Sequence, residues 1–212
     1  MILNTIRFGL IFTGFLLSCN VGLGQQVDST FYSNGQLRSV GKMVLNQKQG
    51  KWLYFYPNGS RNSIESYKDD LLYGSVKNFS PEGNLLSLET WKNGVPSDSA
   101  FYYHENGSIK RKGIYKEGLY EAEWVAYFEN GKPERIGSYK EGLPEGEWLS
   151  YNEEGVLIEL GHYRKGNKHG FFQFFDDKGR ALFEGYYKVG KETGQWYFIN
   201  KKGKRKKYKA YE

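Results

Sequence analysis

The sequence holds a single cysteine, Cys19, so no internal disulfide can form. Its three histidines, His104, His162 and His169, and that one thiol make no short metal-binding spacing. A G-x-x-x-x-G-K-[ST] phosphate loop, a nucleophile elbow and a His-Glu metalloprotease motif are all missing. The carboxylates, though abundant, form no repeated inward-facing pair. The sequence thus offers no catalytic residue, cofactor-binding residue or metal ligand, and no cofactor is expected. Helical signals are scarce as well: no apolar spacing near 3.6 persists, and glycine interrupts every unit of the chain.

Long apolar runs are limited to one, Phe8–Leu17, which is shorter than the roughly 20 residues a membrane-spanning helix needs. Arg7 precedes it and small residues follow, the pattern of a secretory signal. Two cleavage readings stand side by side. Leu16-Leu17-Ser18-Cys19 resembles a bacterial lipobox, making 1–18 the leader and Cys19 the lipidated first mature residue. Gly22-Leu23-Gly24 before Gln25 fits ordinary cleavage, making 1–24 the signal peptide. Either way the expectation is export to the cell envelope, as a periplasmic or outer-membrane lipoprotein, or else secretion.

Net charge is +6, yet seven of the 30 Lys and Arg fall within 201–209. Without 1–24 and 201–212 the body carries 22 basic against 23 acidic residues. The basicity therefore belongs to one place: Lys201, Lys202, Lys204, Arg205, Lys206, Lys207 and Lys209. That band suits either an anionic surface or the protection of a terminal sheet edge by lysine. Nucleic acid is not expected as a partner of an exported chain.

What the sequence has in quantity is glycine, at 27 residues, and aromatics, at 17%. They recur with a period of 24. Gly35, Gly59, Gly83, Gly107, Gly131, Gly155, Gly179 and Gly203 form one series. Tyr67, Trp91, Tyr115, Tyr139, Tyr163, Tyr187 and Tyr211 form a second. Trp52, Val76, Ala100, Trp124, Trp148, Phe172 and Trp196 open successive units. A fixed period of this length means a repeat array. The array is expected over 25–212 as seven or eight units, the basic last one at 194–212.

Each unit reads as a hairpin. Asn34-Gly35, Asn58-Gly59, Asn106-Gly107 and Asn130-Gly131 predict two-residue type I′ turns. A turn at Asn58-Gly59 sets Leu53 opposite Ile64 and Trp52 opposite Glu65; the same arithmetic sets Trp124 opposite Gly137. It further predicts that the Trp124 ring shields that cross-strand glycine. The other sheet face should receive Phe55, Tyr127 and Tyr151 with Ile64, Ile136 and Leu160. A second turn, such as Glu141-Gly142, returns the chain to the next unit. The fold class is all-β, an elongated antiparallel meander of 24-residue hairpins with about 15 strands of ordinary length.

Gly146, Trp148, Tyr151, Gly155, Gly161, Tyr163 and Gly166 carry the pattern G-x-W-x-x-Y-x-x-x-G followed by G-x-Y-x-x-G. It resembles the MORN repeat, and more closely the variant in bacterial YwqK-like antitoxin proteins. The resemblance runs from about Phe31 to Tyr211. It implies elongated β-hairpin sheets acting in protein contact, in dimerisation or at membranes, with an antitoxin-like role at the level of the subfamily. The earliest units depart from it: Asp28 replaces the Trp, Met43 the Tyr and Asp70 a Gly. Such departures suit a terminal cap.

Recurring aromatics are first of all packing, so candidate contacts are those that do not recur, namely Tyr54, Tyr56 and Tyr102. A turn at Lys165-Gly166 would make His162 and His169 cross-strand partners, which is two ligands without a third. Asp176-Asp177-Lys178-Gly179 and Glu153-Glu154-Gly155 read as turns. The expected function is a non-enzymatic interaction scaffold with a protein partner. A membrane surface could be reached through a lipid anchor or the basic last unit. Binding of glycan or anionic lipid is the alternative.

Overall fold

In the computed structural model, residues 26–211 are described. Cys19 and the export segment lie outside the described residues. Seventeen strands form one antiparallel sheet in which each strand pairs with its neighbours in sequence, except that β5 and β6 both pair with β4. The chain runs from β1 (Gln26–Phe31) and β2 (Leu37–Val44) to β16 (Lys191–Ile199) and β17 (Arg205–Tyr211). Two strands exceed the expected number. One is β1, upstream of Phe31, and the other comes from a break at Tyr73 that separates β5 (Leu71–Leu72) from β6 (Gly74–Phe79).

The expected cross-strand partners hold: Leu53 faces Ile64, Trp52 faces Glu65 and Trp124 faces Gly137, as β3 (Gln47–Phe55) meets β4 (Arg61–Lys68) and β10 (Leu119–Tyr127) meets β11 (Pro133–Lys140). The turn that produces them is a different one. Tyr56 N donates to Ser60 O and Gly59 N to Tyr56 O, both at 2.8 Å, and only Gly59 is left-handed, with φ 86°. This is a three-residue loop closed by a glycine bulge. It shortens the register by one residue, and Asn62, which has no partner, restores it. Asn58 recurs for another reason: its Oδ1 accepts from Ser60 N at 3.0 Å. In Asn34, Asn106 and Asn130 the Nδ2 also donates to a carbonyl of the next unit, 23 residues on.

The type I′ turns sit at the other end of each hairpin. Asn93-Gly94, Glu117-Gly118, Glu141-Gly142 and Lys165-Gly166 have positive φ at both positions. Asp70 takes the left-handed place of that glycine, with φ 63°.

After each type I′ turn the strand carries a bulge. Between β11 and β12 (Leu143–Tyr151) the pairing jumps from Ser138↔Glu145 to Gly137↔Trp148, leaving Gly146 and Glu147 unopposed. The left-handed residue of the bulge is Gly50, Gly74, Gly146, Gly170 or Gly194 in five units, and Asp98 or Ala122 in two. A Cβ in that conformation costs about 1–2 kcal/mol. Ala122→Gly is therefore expected to raise stability by about 1 kcal/mol, less part of the entropy glycine adds to the unfolded chain. A urea melt that shows no gain refutes the strain.

The core is chiefly one row of side chains, one position per unit: Trp52, Val76, Ala100, Trp124, Trp148, Phe172 and Trp196, all buried; Val125, on the other face, is buried as well. The covering of glycine is the reverse of the expected one. Gly137 lies under Trp148, from the strand that follows it, and not under Trp124. A Cβ at Gly137 would stand 2.1 Å from the Trp148 indole. Gly41 lies likewise under Trp52, Gly113 under Trp124, Gly161 under Phe172 and Gly185 under Trp196. In the two units whose row residue is small, the glycine is replaced by a carboxylate: Glu65 with Val76, and Glu89 with Ala100.

Candidate functional site

The buried row and its flanking tyrosines define one face of the sheet, here called the aromatic face. Trp124, Trp148, Phe172 and Trp196 are each held edge-on between two tyrosines, as in Tyr139–Trp148 at 5.1 Å and Trp148–Tyr163 at 5.6 Å. The structural residues Trp52, Tyr67, Trp124, Tyr139, Trp148, Tyr163 and Trp196 belong to this ladder, and Gly59, Gly131 and Gly155 to the three-residue loops.

Beside the buried row runs a second row on the same face, one residue per unit: Tyr54, Asn78, Tyr102, Ala126, Ser150, Phe174 and Phe198. Its partners on the intervening strands include Arg111, which faces both Tyr102 and Ala126, and Arg135, which faces both Ala126 and Ser150. Ala126 and Ser150 thus leave a gap where most other units place a ring. A cleft of about 160 Å³ opens there, lined by Arg111, Tyr120, Trp124, Ala126, Arg135 and Tyr139 among others. An adjoining hollow of about 640 Å³ shares Ala126 and Arg135 and is rimmed by Glu134 and Glu153.

The two guanidiniums carry the electrostatics of the gap. The Arg111 Cζ lies 4.1 Å from the Tyr102 ring centre, and its Nη1 donates to the Tyr120 hydroxyl at 3.2 Å. The Arg135 Cζ lies 5.7 Å from the Trp148 ring centre. Among the described residues no carboxylate forms an ion pair with either. Both act on Tyr139: burial raises its phenol above the ordinary value, and the two cations pull it back.

Equivalent positions elsewhere are filled from within the chain. The Lys48 ammonium sits 4.8 Å from the Trp52 and Tyr67 ring centres and donates to the Tyr54 hydroxyl at 2.7 Å. The Lys168 ammonium sits 4.7 Å from the Phe172 ring centre and pairs with Glu159 at 3.2 Å.

The residues singled out in sequence fall in different places. Tyr54 and Tyr102 do recur, sharing one repeat position with Phe174 and Phe198; Tyr54 belongs to the Lys48 cluster, and Tyr102 walls the Arg111 side of the gap. Tyr56 does recur in role: its hydroxyl donates to Phe79 O at 2.9 Å, as that of Tyr32 does to Phe55 O, and His104 bonds Tyr127 O from the same position. These are struts between units, not free contacts. His162 and His169 are not register partners: the pairing passes from Tyr163↔Lys168 directly to Gly161↔Phe172. Asp176 caps its turn, accepting from Lys178 N and Arg180 N at 2.9 Å. Sequence reading missed the Arg111/Arg135 gap, although small residues at Ala126 and Ser150 in an otherwise mostly aromatic series were a legible signal.

The basic last unit is folded into β17, the final edge strand. Lys201 and Lys202 lie in the preceding turn, and Lys204 follows it. Arg205 reaches back to the buried Glu184, whose other oxygen accepts from Gln173 Nε2 at 2.9 Å. Lys206 faces Phe198 and Lys209 faces Trp196, both on the aromatic face; Lys207 faces Tyr197 on the opposite face. The cations wrap the edge and form no one-sided patch.

Burial pushes two phenols of the aromatic face up to about 12: Tyr102, helped by its bond to Glu89, and Tyr187, helped by the charge of Glu192. Below pH 10 both folded and unfolded states keep these phenols neutral. Between pH 10 and about 12 the unfolded chain ionises and the folded protein resists, so stability falls as pH rises through that window. Melting temperatures across it should drop less steeply for Tyr102→Phe than for wild type. An identical slope would refute the burial effect.

The fold and its spacing define a linear β-hairpin repeat protein, in which each unit buries its row residue only against neighbouring strands. The MORN repeat variant matches residues 48–69, 72–93, 99–117, 120–141 and 144–165, just over half of the sequence, and the chain belongs to that family. Repeats of this kind are generally protein- or membrane-interaction modules. No curated protein matches the chain. Among solved structures, a chain in the crystal structure of TcdB2-TccC3-Cdc42 is 13% identical at a TM-score of 0.19, with 83% of this chain and 13% of that one covered. The crystal structure of TcdB2-TccC3 gives the same values. This chain thus spans only a small part of the chains it resembles.

Proposed function

We propose that the protein is a non-enzymatic, exported interaction scaffold that presents its sheet to a protein partner at the cell envelope. The observation that carries the reading is the aromatic face, a ladder of half-buried rings at Tyr67, Trp91, Tyr115, Tyr139, Tyr163 and Tyr187 beside a second row that is open at Ala126 and Ser150. Export rests on the composition around Phe8–Leu17, and lipid anchoring on the Leu16-Leu17-Ser18-Cys19 sequence. An antitoxin-like role needs an intracellular partner, which an export segment does not favour.

Photo-crosslinkers placed at Tyr102 and Ser150, on the aromatic face, and at Ile114, on the opposite face, test the reading in intact cells. A specific protein adduct from the first two positions and not the third supports it; no adduct from any position refutes it. A Cys19→Ala variant that still fractionates with membranes refutes lipid anchoring through that residue. Binding of anionic lipid is the second reading, favoured by the cations of β17. It fails if anionic vesicles bind equally well after Lys204, Arg205, Lys206 and Lys207 are neutralised.

A further inference from the structure

We infer that the gap between Arg111 and Arg135 is a carboxylate-binding site, which seats an acidic side chain from an extended segment of a protein partner. The inference deepens the scaffold reading and rests on it. Three observations carry it. First, the array fills equivalent places internally, with the Lys48 ammonium between Trp52, Tyr54 and Tyr67 and the Lys168 ammonium among Phe172, Phe174 and Tyr187. At the corresponding positions of the gap stand Tyr120, whose ring packs on Trp124 and Tyr139, and Pro144, so no ammonium enters and the charge there is left to the arginines.

Second, Ala126 removes the ring that Tyr102 and Phe174 supply in other units, and it lies directly between Arg111 and Arg135 in the strand pairing. Two strand spacings separate the arginines, about 10 Å between their backbones. Long guanidinium side chains on either side of a methyl floor can converge on one carboxylate, and a planar fork is matched to that shape.

Third, the charge is unbalanced locally. Arg205 and Arg180 both have carboxylate partners, with Glu184 and Asp176. Arg111 and Arg135 have none among the described residues and lean instead on Tyr102, Trp124 and Trp148. A carboxylate would complete them, while the surrounding rings receive the aliphatic part of an aspartate or glutamate. The adjoining hollow, with Glu134 and Glu153 at its rim, is placed for the segment's following backbone N–H groups or a cationic side chain.

The test titrates the full chain with a capped hexaglutamate peptide and follows the fluorescence of its tryptophans, two of which line the cleft. Binding that weakens with salt is expected. Arg111→Gln with Arg135→Gln should weaken it about tenfold or more. Neutralising Lys204, Lys206 and Lys207 should leave it within about twofold. Ala126→Phe is the second arm. It supplies the ring the array already uses at Phe174 and Phe198, so the protein should fold, and binding should be lost with both guanidiniums present.

Peptide binding that survives Ala126→Phe, or that depends on β17 and not on the arginines, overturns the site. So does oligogalacturonate binding tenfold more tightly than hexaglutamate, which would assign the gap to an acidic sugar. No binding of hexaglutamate to wild type also overturns it. If Ala126→Phe and the double arginine variant both keep the crosslinked partner, the scaffold reading stands and this site falls. If wild type yields no crosslinked partner while hexaglutamate binding follows the pattern above, the site stands and the scaffold reading falls.

Discussion

Gly137→Ala is expected to cost about 3 kcal/mol, a large loss for one methyl group on an extended strand. The new Cβ would lie 2.1 Å from the Trp148 indole, a distance no real contact reaches, so ring or backbone must move. Overpacking a tight site costs about 1–3 kcal/mol, and here the obstructing atoms belong to a rigid bicyclic ring held edge-on by Tyr139 and Tyr163. The chain itself shows what relieves the conflict. Where the row residue is Val76, the glycine is Glu65, whose carboxylate accepts from Ser63 Oγ at 2.7 Å and from the Tyr67 hydroxyl. Where it is Ala100, the glycine is Glu89, which accepts from Trp91 Nε1 at 3.0 Å. Gly137→Glu combined with Trp148→Val should therefore be less destabilising than the sum of its single changes. Tyr139 stands where Tyr67 does, ready to donate to the new carboxylate. A double-mutant cycle by chemical denaturation measures the coupling, and strict additivity would sink the account.

Phe172→Ala is expected to cost about 4 kcal/mol. The ring is fully buried, packs edge-on against Tyr163 and Tyr187, and covers Gly161. Removing a buried aromatic side chain costs about 3–5 kcal/mol through lost transfer energy and the cavity left behind. The distribution of the loss is as diagnostic as its size. Apart from β4 with β6, across the break at Tyr73, each strand pairs only with its sequence neighbours, so destabilisation should stay local. Hydrogen exchange should accelerate in β13 (Leu157–Arg164), β14 (Asn167–Phe175) and β15 (Ala181–Lys188) and change little in β2 to β4. Uniform acceleration along the array would show that it unfolds as one cooperative block.

The period of 24 was enough to determine the meander and the strand partners. Those follow from the alternation of side chains across a strand and from a loop length that never changes. The partner assignment survived a wrong turn type because a glycine bulge at Gly59 and an unpaired Asn62 cancel in the register. Asn-Gly pairs look alike in either loop, and only the hydrogen bonds of Tyr56 with Ser60 and Gly59 distinguish them.

Three things were decided by tertiary structure alone. Which ring covers Gly137 depends on the bulge at Gly146, which a 24-residue pattern contains but does not interpret. The role of Tyr56 as a strut depends on a carbonyl 23 residues away. The gap between Arg111 and Arg135 exists because Ala126 faces both across neighbouring strands, and a linear sequence sets them 15 and nine residues from it. The sequence by itself determined the repeat and hence the array. The folded sheet decided where one unit differs from the next in space, because only lateral pairing brings non-recurring residues of successive strands to one place.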